Sequence, residues 1–202
     1  MSLFNFLKKT PDTPAPHERF AGHLDQIFQM EPRLFKEESS LEGIPGVTVF
    51  VYENVPEPGC ITAVTYGLSL VEHPDWKHGR PELCISVEST DVTWGKAIAF
   101  LANQLRSKFA FSYGQMVNFH EKISLDSEMD AFFVFAPSIL EKEDYLNIDI
   151  GTKYNINIAG IYPMYSEEME LMQQIGLEAF WHHPEFDNFS IRRKPIKTST
   201  AP

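Results

Sequence analysis

Residues 153–180 read KYNINIAGIYPMYSEEMELMQQIGLEAF, and the fold turns on this run. Tyr154, Ile156 and Ile158 alternate with Asn155 and Asn157, the period of a strand with one buried face. Through Ala159, Gly160 and Ile161 the alternation gives way to small and apolar residues, as in a strand that runs under cover. Pro163 lacks an N–H and is expected to end the ladder. Ser166 is then placed to cap a helix, with Glu167 and Glu168 at its positive N-terminal end. Leu171, Met172, Ile175 and Ala179 form one apolar helical stripe, interrupted at Gly176, which suits a bend or a helix end.

Working outward, Phe20, Leu24, Ile27 and Phe28 recur at helical spacing and predict an amphipathic helix that ends before Pro32. Residues 36–46 read as a polar loop. Val47, Val49 and Val51 mark a strand apolar on both faces, 54–59 a turn with two prolines, and 60–70 a second strand paired with the first as a hairpin. Gly67 within it suits a bulge or a close approach by a neighbouring group. A loop with His73, Trp76 and His78 precedes a strand over 82–89. Trp94, Ile98, Leu101, Ala102, Leu105 and Phe109 make the cleanest helical stripe, with Asp91 or Thr93 to cap it. Residues 116–123, including His120, read as a strand, and 132–135 as a short apolar one that Pro137 ends. Leu146, Ile148 and Ile150 suggest a further strand before Gly151. Strands in clusters with single helices between them indicate α+β: a mixed, mostly antiparallel β-sheet with helices packed mainly on one face.

A chain of 202 residues with 43% hydrophobic and 13% aromatic content is long enough for one real core and excludes general disorder. Its sixteen Phe predict that the core is aromatic. The expected division is a mobile N-terminal tail at 1–15, the domain at 16–188 and a basic C-terminal tail at 189–202. Net charge is −11, and all 28 acidic residues precede Asn188, while four of the 17 basic ones (Arg192, Arg193, Lys194 and Lys197) lie beyond it. The body therefore carries −15, a field that repels nucleic acid and anionic membrane and favours a basic protein partner. Cys60 and Cys84 sit in apolar runs and read as reduced, buried thiols. No secretory signal opens the chain, and no run reaches the ~18–20 apolar residues of a membrane span, so a soluble, cytoplasmic protein is expected.

The run GIYPMYSEEMELMQQIG at 160–176 resembles the C-terminal signature of the Suppressor of fused domain family. Upstream and in the same order come Thr65-Tyr66-Gly67-Leu68-Ser69, Arg80-Pro81-Glu82-Leu83, the Trp94 helix and Val117-Asn118-Phe119-His120, each similar to a further block of that family. The resemblance covers roughly 20–180 and is to the bacterial single-domain type. It implies an α+β, non-enzymatic protein-binding domain without a cofactor. In that family, animal members bind a transcription factor between this domain and a second one, and bacterial members resemble immunity proteins that neutralise toxins. This chain ends soon after the first domain, and Gln115 stands where the animal protein has an acidic partner-holding residue. The resemblance thus points to a bacterial immunity or interaction role with a basic, toxin-like partner.

Tyr66, Arg80, Glu82, His120, Glu167, Glu168 and Glu170 are the candidate partner-binding or family-motif residues. His120 matches a family histidine expected inside a strand. Glu168 falls on the apolar side of its helix and is expected at the cap or aimed at Arg80 or His120. A rival reading, a small hydrolase or metal-dependent enzyme, would use His120 with Glu82, Glu167 and Glu168. Against a metal, His182 and His183 are adjacent and would point about 100° apart on a helix, and no HExxH spacing occurs. No nucleophile elbow, Walker loop or dinucleotide glycine pattern is present either.

Overall fold

The computed structural model describes residues 13–197. Its elements are α1 (Pro16–Phe28), β1 (Arg33–Lys36), β2 (Thr48–Glu53), β3 (Ile61–Tyr66), β4 (Arg80–Val87), α2 (Thr93–Leu105), β5 (Met116–Asn118), β6 (Ala131–Phe135), α3 (Lys142–Tyr145), β7 (Ile156–Met164), α4 (Met169–Ile175) and α5 (Leu177–Trp181). The strands form one sheet in the order β1-β2-β3-β4-β7-β6-β5. All neighbours pair antiparallel except β4 and β7, which run parallel from Arg80↔Ile156 to Cys84↔Gly160. The class is therefore α+β with a mixed, mostly antiparallel sheet.

Both faces of the sheet are covered, so its central strands bury residues of both parities. On one face, Trp94, Ile98, Leu101 and Ala102 of α2 pack with Val49, Ala63 and Ile85. Asp91 caps this helix, its Oδ1 accepting the Thr93 N–H at 2.9 Å. On the other face, Phe20 and Leu24 of α1 lie with Tyr52, Val64 and Ile158, joined by Tyr145 of α3. Leu171 and Met172 of α4 and Phe180 of α5 cover Phe133, Tyr162 and Met164. Helices mainly on one face thus holds by number, although α2 takes the opposite one. The core is aromatic-rich where Phe133 stacks on Tyr162 at 5.3 Å and meets Phe180 edge-on at 5.6 Å.

Several sequence expectations need correction. Pro163 does not end its ladder: β7 continues to Met164, and Pro163 faces Phe132. Val134 spends both backbone groups on the β5 side, with Gln115 O and Gly114 N–H, so alternation makes Phe132↔Pro163 a pair without hydrogen bonds. The missing N–H points toward β4, whose pairing with β7 has already stopped at Gly160. Ser166 is not the cap. Its hydroxyl donates to Asp130, while Glu168 reaches back to the Tyr165 N–H at 3.0 Å. Ile175 and Ala179 are exposed, because Gly176 (φ 85°) separates α4 from α5 and turns the stripe toward Phe180. The strand over 60–70 stops at Tyr66 and becomes a 3-10 turn, Leu68–Leu70. The segment 33–36, its last residue placed in a loop by sequence, is the edge strand β1.

Of the stretch expected as a basic tail, Ile191, Arg193 and Ile196 are buried in the body. The expected N-terminal tail lies almost wholly outside the described residues. Among those residues, no helix is long and apolar enough to cross a membrane.

Candidate functional site

Three of the seven candidates meet where β3 parts from β4. The paired register ends at Val64↔Cys84, and the next N–H, that of Leu83, bonds the Thr65 hydroxyl instead of a backbone carbonyl at 2.8 Å. Glu82 turns its carboxylate into this gap. It accepts five hydrogen bonds, from the Thr65 hydroxyl, the Gly67, Leu68 and Ser69 N–H groups and the Ser69 hydroxyl, at 2.6–3.3 Å. The carboxylate thereby holds the first turn of the 3-10 segment, whose donors have no intrahelical partner. Glu82 is fully buried, and burial pushes its carboxyl above the usual range while the Ser69, Thr65 and Gly67 donors pull it back. Gly67 permits the arrangement: its φ is +133°, and a Cβ there would stand 2.9 Å from Gly46 O and from Val47 Cα.

Tyr66 borders the same gap. It packs tilted against Phe20 at 5.3 Å, and burial, then the Glu82 charge, push its phenol up to about 12. Arg80 lies two residues before Glu82, its guanidinium over the Tyr154 ring at 3.8 Å and bonded to Ser69 O at 3.1 Å and Glu72 at 2.8 Å. Arg106, enclosed nearby, donates to Pro45 O, Gly67 O and Ser39 Oγ. Burial lowers its pKa and Glu82 raises it, so this cation and anion neutralise each other through the intervening turn without a direct ion pair.

Glu168 anchors the second cluster, and its partner is neither Arg80 nor His120. Arg193 grips it with both terminal nitrogens, Nη2 to Oε2 at 2.7 Å and Nη1 to Oε1. The Tyr165 and Ile196 N–H groups, at 3.0 and 2.8 Å, complete the shell of a fully buried carboxylate. This pair fastens residues 193–196 to the β7–α4 corner. Glu167 and Glu170 on the same corner are exposed, and Glu170 accepts from Gln174.

His120 is not in a strand. β5 ends at Asn118, and His120 is exposed in a loop at φ 63°, its N–H on Asn118 Oδ1 at 2.7 Å. Asp130 ties this loop to the β7–α4 corner: its carbonyl accepts Phe119 N–H at 2.8 Å, and its carboxylate accepts the Ser166 N–H and hydroxyl at 2.6 and 2.7 Å. His120, Glu167, Glu168 and Glu170 therefore share one end of the sheet, and Tyr66, Arg80 and Glu82 the other. Glu82 stands beside Ile158, while the corner follows Met164, six residues and about 20 Å further along β7. The hydrolase constellation is split across the sheet. Among the described residues, no group of His, Cys, Asp and Glu is disposed to hold a metal ion.

The third feature is an open edge. Among the described residues β5 pairs with β6 alone, and Gln115 and Phe119 face inward, so alternation turns the backbone groups of Met116 and Asn118 outward. Beside it Phe100, 43% exposed, meets Phe119 edge-on at 6.0 Å. The opposite edge, β1, carries Arg33 and Lys36, the charges that discourage strand addition.

Sequence reasoning missed Arg193, Asp130 and Arg106. Arg193 is one of three consecutive cations, Arg192, Arg193 and Lys194, between the apolar Ile191 and Ile196, and nothing in the run marks it as the one that turns inward.

Comparison with known proteins agrees with this architecture. Residues 43–194 match the family model described as Suppressor of fused protein (SUFU). A Suppressor of fused homologue from Neisseria gonorrhoeae FA 1090 is similar with a TM-score of 0.67 at 16% identity, over 90% of this chain and 97% of that one. The Sufu–Fu complex gives a TM-score of 0.64 at 13% identity, over 90% of this chain and 91% of the other. Drosophila Suppressor of Fused gives 0.65 at 13% identity; the match covers 92% of this chain but 52% of that protein. No curated protein matches the chain by sequence.

Proposed function

The chain belongs to the Suppressor of fused family, and on that premise we propose that it is a non-enzymatic protein-binding domain acting as a bacterial immunity or interaction protein. Its partner is a basic, toxin-like protein, neutralised by being held. The observation that carries this reading is the β5 edge, uncharged over Met116–Asn118, with outward backbone groups and the exposed Phe100 ring beside it. Such an edge accepts an extended segment of another chain through main-chain hydrogen bonds, with side-chain pockets giving selectivity. The net charge of −11 supports a basic partner, drawn in by long-range attraction. One similar structure, the Sufu–Fu complex, is a member of the fold bound to another component.

The enzymatic alternative loses its support from geometry. Glu82 and Glu168 are enclosed and committed to structural donors, and they lie at opposite ends of the sheet. The electrostatic part of the reading is tested on a partner captured from the native host and then purified. Its association rate should fall as salt rises, with dissociation changing much less, because the Debye length shrinks from about 10 Å at 0.1 M to about 3 Å at 1 M. An association rate flat across that range would reduce the acidic body to a solubility feature.

A further inference from the structure

β4 and β7 are the sheet's parallel pair, so the loops that lead into them lie side by side at one end. Three bonds lock these loops together. The Arg80 N–H reaches Asn155 O at 2.9 Å; the Asn157 amide nitrogen donates to His78 O at 2.8 Å, and its oxygen accepts the Asn147 N–H at 2.8 Å. Gly79, at φ +117°, admits that staple: a Cβ would stand 2.6 Å from Asn157 Nδ2. Trp76 is pinned above, its indole N–H on Ala110 O at 2.8 Å.

The result is a preformed cleft with two unlike halves that share the 76–79 segment. One half, of 460 Å³, has apolar walls from Trp76, Pro81, Phe111, Tyr113 and Ile158. The other, of 480 Å³, is polar and lined by Lys77, His78, Arg80, Lys153 and Asn155, with no Asp or Glu among its lining residues. Both volumes fall within the ~300–1,000 Å³ of small-molecule sites. In a chain with 28 acidic and 17 basic residues, a concave wall with three cations and no carboxylate is an inversion of the surrounding charge. Arg80 is oriented by Tyr154 and Ser69 O and partly offset by Glu72, which is exposed. Lys77 and Lys153 have no carboxylate partner among the described residues. Among the described residues the only carboxylate lining the apolar half is Asp75, 3.8 Å from His73.

We propose that this cleft binds a small organic anion, its carboxylate or phosphate held by Lys77, Arg80 and Lys153 and its aromatic or branched body against Trp76 and Phe111. A compact ligand fits better than an extended peptide, since β4 and β7 pair with each other from Arg80↔Ile156, the Arg80 N–H is spent on Asn155 O and the Leu83 N–H on the Thr65 hydroxyl.

The test is an amide and indole NMR titration of the intact chain with phenyl phosphate and, separately, phenylacetate. Saturable shifts at the Trp76 indole N–H and at Gly79 and Asn155 are expected for at least one, and the tighter of the two identifies the anionic group. Inorganic phosphate and benzyl alcohol, each fitting one half, should bind at least about tenfold more weakly. Lys77→Glu with Lys153→Glu, both exposed positions, should weaken the tighter ligand about tenfold or more while leaving the thermal melt unchanged. Absence of saturable shifts for both anions, equal binding of phenyltrimethylammonium, or an affinity within twofold in the double variant would overturn the assignment.

Discussion

Glu168 and Glu82 are both fully enclosed carboxylates, yet different groups hold them. Glu168 has a cation, Arg193, and breaking such a pair strands the remaining charge. Arg193→Met should therefore cost about 3–5 kcal/mol in a denaturant melt; a loss below 1 kcal/mol would mean that residues 193–196 are not fastened as described. Glu82 has only neutral donors in contact. Its folded carboxyl is raised above the unfolded value, so its contribution is complete below the unfolded pKa and is lost as pH rises through the folded one. The stability gap between wild type and Glu82→Gln should narrow as pH rises through about 4.5, where the group is half ionised in the unfolded chain. A gap that widens over that interval would contradict the sign.

At the scale of elements, α2 is the clearest case of pattern becoming packing. Trp94, Ile98 and Leu101 are each 4% exposed or less, so Leu101→Ala should cost about 2–5 kcal/mol, measured by urea unfolding. A loss under half that range would mean that the helix is loosely seated. This helix was legible because 3.6-residue periodicity survives when one face meets a sheet. β7 was legible at period two where it starts, with Asn157 half-buried between Ile156 and Ile158, and β4 because apolar and polar residues alternate along it even though both its faces are buried. The misreadings have physical causes too. A proline is compatible with a ladder when its neighbour on that side has ended, which no local pattern reveals at Pro163. His120 follows Val117-Asn118-Phe119, which alternates and reads as strand, but Asn118 offers its side-chain oxygen to the His120 N–H and turns the chain out. Glu82 could not be assigned its partners from sequence, nor Glu168 its Arg193 and Ile196 donors, because these arrive from 13 to 28 residues away; the Tyr165 N–H that Glu168 also accepts is only three residues back. The family blocks were visible as residues; that Glu82 and Glu168 within two of them are buried and hold structural donors is a property of the folded chain.

At the scale of the whole molecule, the sheet has two edges of opposite character, and the account rests on the difference. The β1 edge is guarded by Arg33 and Lys36, with Leu34 exposed between them. The β5 edge is uncharged and flanked by Phe100 and Phe119. Glu37 faces β2, so Leu34 points its N–H outward just as Met116 does at the other edge. Proline at either position removes one outward donor and leaves the internal ladder intact. The most direct measurement is the affinity of the purified partner for wild type, Met116→Pro and Leu34→Pro, each first shown to be folded by its melt. Met116→Pro should weaken binding about tenfold, the worth of a lost main-chain hydrogen bond, while Leu34→Pro leaves it unchanged. Equal affinity across all three proteins, or loss confined to Leu34→Pro, would contradict a partner held on the β5 edge.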